Sequence, residues 1–210
     1  HTIRVDQRNQ YFGGLIECNY GTIRNLHVTG TATFEDESTL YFGGIVGYNA
    51  GLIEDCSFNG TIRTVGGFDY STSISPANGI GGICGENAGG TIRGCTADGT
   101  IALALEGDNW YIGGICGYGS DGSQIEDCIN HASVSVSITG KEGSYMSAYA
   151  GGICGGSQDA DNYIDHCLNT ASIEARTTIG ITRVGGDCGW RGTCTDNGNT
   201  GASIHAGYGS

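Results

Sequence analysis

An all-β fold, a parallel β-helix (β-solenoid) of about six rungs of 30–38 residues with three short strands each, is what this chain predicts, on three observations. A double glycine recurs at Gly13, Gly43, Gly81, Gly113, Gly151 and Gly185, at spacings of 30, 38, 32, 38 and 34 residues. A period in that range marks stacked units, none of which buries its apolar face alone. No segment has a helical period, whereas ASVSVSITG (132 to 140), TIALALEG (100 to 107) and ASIEARTTIGIT (171 to 182) alternate as half-buried strands do. The glycines recur at fixed places in the unit, where they permit corners and close approach between neighbouring rungs.

The units begin near residues 11, 41, 79, 111, 149 and 183 of a single domain spanning 1–210. The clearest is YFGGIVGYNAGLIEDCSFNGTI, residues 41 to 62. Its relatives are GGLIECNYGTIRNL (13 to 26), GGICGENAGGTIRGC (81 to 95), GGICGYGSDGSQIEDC (113 to 128) and GGICGGSQDADNYIDHC (151 to 167). The sixth, GGDCGWRGTC (185 to 194), is shortened. The opening TIRV resembles the GTIR strands that follow, and the closing TGASIHAGYGS reads as another strand. Both are expected to belong to a processed or excised piece of a longer coil, or to ends that stack on copies of the chain. No apolar run is long enough to span a membrane.

After the isoleucine of the second strand come Arg24, Glu54, Arg93, Glu126 and Asp165 in successive units. Stacked at ~4.8 Å, these side chains form a ladder whose first four signs alternate, which helps to set register.

The ten cysteines fall largely into columns. Cys84, Cys116, Cys154 and Cys188 stand where earlier units have Ile16 and Val46, and Cys56, Cys95, Cys128 and Cys167 stand where the first has Leu26. One reading makes them small buried hydrophobes in ladders. The other makes each late rung crosslinked, Cys84 to Cys95, Cys116 to Cys128, Cys154 to Cys167 and Cys188 to Cys194, with Cys18 and Cys56 left as a fifth pair; stacked neighbours in one column are a further option. Ten cysteines in a secreted-looking chain favour the oxidised reading. No C-x-x-C occurs and histidine is sparse, so no metal site is expected.

With 22 acidic residues against 9 basic and a net charge of -13, nucleic acid and anionic membrane are excluded as partners. No G-x-S-x-G elbow is present. In Asp165-His166-Cys167 the alternation of a strand keeps the three side chains from converging. Calcium is a minor candidate at Asp159, Asp161 and Asp165, where the glycine and glutamate of an EF-hand loop are missing. GGICGYG leads into no helix, so it is not a phosphate loop. The loops carry aromatics beside Asp, Asn and Ser, and Phe68, Tyr70, Trp110, Tyr145 and Tyr149 form a candidate glycan surface; the alternative is that these rings pack on the coil.

The repeated G-G-[IL]-x-G, followed by a second strand and N-G-T-I, resembles the GLUG motif of bacterial surface and secreted proteins, over roughly residues 11 to 195. Glu17 replaces the last glycine in the first copy and Asp187 the isoleucine in the sixth. The resemblance implies a β-helical extracellular module and transfers no catalytic residue, because no H-E-x-x-H is present. The expectation is therefore a non-catalytic structural or adhesive module without cofactor, partnered by neighbouring domains, by glycans or by itself. A self-assembling filament subunit is the alternative, and a polysaccharide-active enzyme ranks last because only fold analogy supports it.

Overall fold

A computed structural model describes residues 2–5, 9–34, 39–65, 78–107, 109–140, 147–159, 161–178, 180–200 and 203–208. Among them there is no helix, and the strands form four sheets whose neighbours pair in parallel. Successive strands visit the four sheets in turn. The unit quoted above comprises Thr39–Gly43, Val46–Asn49, Leu52–Glu54 and Ser57–Thr64, so it has four strands and not three. The double glycine is the reason: the chain bends at Gly44 and Ile45, splitting what reads as one strand into two. That bend also lets adjacent residues such as Ile83 and Cys84 both face inward, which a straight strand forbids.

We call the sheets by their contents. The tyrosine sheet holds Asn9–Gly13, Thr39–Gly43, Asn78–Gly81, Asn109–Gly113, Ser147–Gly151 and Ile181–Gly185. The cysteine sheet holds Ile16–Asn19, Val46–Asn49, Cys84–Ala88, Cys116–Ser120 and Cys154–Ser157. The isoleucine sheet holds six three-residue strands, from Thr22–Arg24 to Thr193–Thr195. The long sheet includes His27–Phe34, Ser57–Thr64 and Thr96–Glu106, and pairs Thr2–Val5 with the first of these.

All four sheets feed one core, to which Phe42, Cys84, Ile92 and Ile101 each contribute from a different sheet. Ile23, Ile53, Ile92, Ile125 and Ile164 are in register, one above another. Fully burying such a side chain contributes about 1.5–3 kcal/mol over leaving it exposed, so the buried members of this column, Ile53 to Ile164, help to hold successive repeats together.

Two asparagine ladders, invisible to the sequence reading, run beside the apolar columns. Asn19 donates to Asn49 at 2.7 Å and Asn49 to Asn87 at 2.8 Å; Asn130 donates to Asn169 at 2.9 Å and Asn169 to Asn199 at 3.1 Å. Asn19, Asn49, Asn87, Asn130 and Asn169 also close their own turns, as where Gly51 N donates to Asn49 Oδ1 at 3.3 Å. Stacking identical amides satisfies buried donors and acceptors that an apolar core would orphan.

Between the isoleucine strand and the long strand the chain turns through a left-handed residue in all six repeats: Asn25, Asp55, Gly94, Asp127, His166 and Asp196. Asn, Asp and Gly tolerate that conformation best, which explains five of the six.

The charge ladder has the expected register. Arg24 Nε lies 2.7 Å from Glu54, Arg93 contacts Glu54 at 3.7 Å and Glu126 at 2.9 Å, and Asp165 pairs in register with Glu126. Arg93→Glu places four acids in one column, Glu54 to Asp165. The expected result is a melting temperature lower by a few degrees at low salt, with the deficit shrinking at high salt because exposed pairs are screened; a salt-independent loss would point to disrupted packing instead.

Candidate functional site

Tyrosines line the outer side of the tyrosine sheet, yet most are covered. Tyr41, Tyr111, Tyr149 and, from the cysteine sheet, Tyr118 form a buried cluster separate from the main core, with Tyr11 and Trp190 packed on it. Alternation puts Phe42 inside and Tyr41 outside, and the corner at the double glycine folds the two outer faces towards each other. Tyr11 stacks on Tyr41 at 5.2 Å, Tyr111 on Tyr149 at 4.7 Å and Tyr149 on Trp190 at 5.0 Å. At the far end Arg191 sits 4.4 Å over the Trp190 ring.

The third repeat breaks the stack. Gly79 takes the place between Tyr41 and Tyr111, and Glu86 the place between Tyr48 and Tyr118. The Glu86 carboxylate accepts bonds from Tyr11 and from Ser120 Oγ, the latter at 3.2 Å, while its Oε2 is buried with no partner among the described residues. Burial raises its pKa above the ordinary carboxylate value, and the Tyr11 and Ser120 bonds offset only part of this. Burial and Glu86 together push Tyr118 up to about 12.

A carboxyl whose pKa rises on folding contributes most stability below its unfolded value of 4.5, and that contribution is lost as pH rises through the folded value. Glu86→Gln is therefore expected to melt a few degrees above the wild type near pH 7 and level with it near about pH 4. A pH-independent difference in melting would show that the change acts through packing and not through ionisation.

The ten cysteines are free thiols, and none of the five pairs Cys84 with Cys95, Cys116 with Cys128, Cys154 with Cys167, Cys188 with Cys194 and Cys18 with Cys56 is joined. The register explains this for the late rungs. Cys84, Cys116, Cys154 and Cys188 stack on one another at the start of the cysteine sheet, whereas Cys56, Cys95, Cys128 and Cys167 stack at the corner beyond the isoleucine strand. In the second column sulfur also does the work of an acceptor: Cys95 N donates to Cys128 Sγ and Cys128 N to Cys167 Sγ, both at 3.4 Å. The thiols of the first column donate to carbonyls two residues on, Cys84 to Glu86 O at 3.1 Å. Burial pushes Cys116 and Cys128 well above the ordinary thiol value, which makes them poor nucleophiles.

Two cysteines stand outside the columns the sequence suggests. Cys18 pairs in register with Tyr48 in the outer column. Cys194 pairs with Ile164 in the isoleucine column, and Asn197 takes the sixth place above Cys167, accepting its N–H at 2.7 Å.

Of the candidate glycan surface, Trp110 and Tyr149 lie among the described residues, and both pack on the coil. Trp110 is buried in the main core, donating from Nε1 to Gly107 O at 3.0 Å, and Tyr149 is sandwiched between Tyr111 and Trp190. For these two rings the alternative reading, packing on the coil, is the one the structure has: both lie on paired strands of the tyrosine sheet, where each is covered. Phe68, Tyr70 and Tyr145 lie outside the described residues. The exposed rings among those described are Tyr20, 76% exposed, and Tyr163, 48% exposed. Each occupies a turn or strand position beside the isoleucine sheet; their lack of a ring one repeat on is the sequence signal that could have found Tyr163.

The calcium candidates separate as well. Asp159 and Asp161 are exposed, whereas Asp165 gathers with His166 and Asp196, with ligand atoms all within 4.8 Å of one another. His166 Nδ1 lies 2.9 Å from Asp165, so these two side chains do meet: the left-handed corner at His166 breaks the strand alternation and sends only Cys167 inside.

The GLUG family model matches residues 38–63 and 76–102. No curated protein and no solved structure matches the chain. Each matched stretch covers one strand from each of the four sheets, Thr39–Gly43 through Ser57–Thr64 and Asn78–Gly81 into Thr96–Glu106. The second and third repeats of this chain thus each hold a copy of the GLUG motif, and each copy takes in all or part of four successive strands.

Proposed function

We propose that the chain is a non-catalytic structural or adhesive module of a larger extracellular protein: a parallel β-helix of about six rungs, a rod of roughly 30 Å, that spaces or displays a binding surface. One observation carries the reading. The polar and reactive side chains of the middle repeats are spent on neighbouring repeats: the amides in ladders, the thiols in columns, Glu86 against tyrosine, Arg93 between two glutamates. The GLUG copies support a repeat module within a longer protein.

The test is retention of the purified chain on immobilised acidic and neutral glycans, with a reducing-end assay on the same panel. Retention that weakens in Tyr20→Ala or Tyr163→Ala supports an adhesive surface. Retention on no glycan leaves a purely structural role, and release of reducing ends sinks the non-catalytic reading.

The filament reading rests on a separate observation. The first repeat opens onto an apolar cavity of about 300 Å³ beside Leu15, Val28, Phe42 and Phe58, and the sixth repeat leaves Ile181 and Ile204 exposed. Negative-stain electron microscopy across a concentration series separates the two, filaments of one rod's width favouring self-assembly and isolated short rods the module.

A further inference from the structure

Three inward-facing columns change chemistry together in the sixth repeat. The corner isoleucines Ile45, Ile83, Ile115 and Ile153, each fully buried, are followed by Asp187, whose backbone carbonyl takes the bond from Ile153 N that Ile153 takes from Ile115. The isoleucine column is continued by Cys194. Between them the first thiol column ends in Cys188, whose backbone pairs in parallel with that of Cys154. An acid and two thiols therefore take the places that repeats two to five give to two isoleucines and one valine or cysteine.

The connection shortens at the same point. Five residues separate Cys188 from Cys194, against six to nine between the corresponding positions of the other repeats. It closes through two consecutive left-handed residues, Arg191 and Gly192, and a side chain at 192 would come within 3.6 Å of Cys188 Sγ.

Asp187 supplies an independent observation. Its Oδ1 is buried with no hydrogen-bond partner among the described residues, although a carboxylate withdrawn from water needs either partners or a counter-charge. Among the described residues this oxygen neither caps a turn nor joins a ladder.

We propose that the sixth repeat binds one thiophilic divalent cation, zinc fitting best, through Asp187 Oδ1, Cys188 Sγ and Cys194 Sγ, with the fourth position open to water. Two thiolates and a carboxylate suit the tetrahedral preference of zinc and disfavour the all-oxygen sites of calcium and magnesium. Burial, with Cys188 and Asp187 nearby, raises the Cys194 thiol to about 12, and burial raises Asp187 as well. Thiols and carboxyls kept protonated by burial give up their protons when a cation binds them. The ion closes the set from a looser arrangement, since among the described residues only Asp165, His166 and Asp196 already have three ligand atoms within 4.8 Å. Counting C-x-x-C intervals misses such a site because its ligands come from three columns and not from one motif.

The test is cobalt(II) titration of the full chain, reduced and stripped with a chelator, followed by displacement with zinc. The expected result is one equivalent of cobalt with the visible absorption of tetrahedral thiolate coordination, lost in Cys194→Ile and weakened roughly tenfold or more in Asp187→Ile, as loss of one of three protein ligands should. Both changes restore the residue that the other repeats carry at that place, so folding is expected to persist and circular dichroism checks it. Cys18→Ser, in the outer column, should leave binding unchanged. Cobalt absorption that survives Cys194→Ile, or none in the reduced wild type, overturns the site.

Discussion

Gly113→Ala is expected to unfold the middle of the coil at temperatures where the wild type is intact. A Cβ at residue 113 would lie 1.9 Å from the carbonyl oxygen of Cys116 and 2.8 Å from both Gly155 N and Ile153 O. All three are backbone atoms, two of them in the next repeat, so no rotamer change relieves the contact. Overpacking in a core costs about 1–3 kcal/mol when side chains can yield. Here the corner and its neighbour must separate, and the loss should lie at the top of that range or beyond it. Gly122→Ala is the control: a Cβ there meets nothing within 4 Å, and its φ of +74° carries only the local cost of a left-handed residue. Thermal melts of the two variants, followed by circular dichroism, check the claim. Equal losses would mean that backbone conformation, and not contact between repeats, is what these glycines provide.

Asn49→Leu should be the next most damaging change. Asn49 is fully buried, donates to Asn87 Oδ1 and Gly51 O, and accepts from Asn19 Nδ2 and Gly51 N. Leucine fills a similar volume and makes none of these bonds. Each buried group left unsatisfied costs about 1–3 kcal/mol, so losing the middle of the ladder should cost about 3 kcal/mol or more. Asn19→Leu removes a single link between side chains at the ladder's end, and urea titration should give it less than half that loss. Comparable losses for the two would show that each amide serves only its own turn.

Much of this architecture was legible because the repeat exposes it. A column is a set of equivalent positions in aligned copies, so the charge ladder from Arg24 to Asp165 and both thiol columns follow from alignment on the double glycines alone. What alignment does not give is direction. For Trp110 and Tyr149 the sequence leaves a loop surface and packing on the coil both open, and the faces they take on the paired strands Asn109–Gly113 and Ser147–Gly151 decide for packing. The four-strand unit was missed for a related reason: the bend at Gly44 and Ile45 lies inside an unbroken apolar run, and periodicity cannot see a corner that keeps both flanking residues inside. Asn49 and Asn130 were hidden by conventional expectation, since a polar residue next to a turn reads as solvent-facing. Alignment gives Cys194 no column, because the sixth repeat is shortened, and the register places it in the isoleucine column.

The alternating charges bear on how such a chain can change length. Excise the third repeat and Glu54 falls beneath Glu126, while the aromatic stack closes up with Tyr41 under Tyr111. Excise the second and third together and Arg24 falls beneath Glu126, restoring an attractive step. Duplication or loss of repeats is therefore favoured in pairs over single copies, and the ladder of Arg24, Glu54, Arg93 and Glu126 acts as a parity check on the number of repeats between its ends.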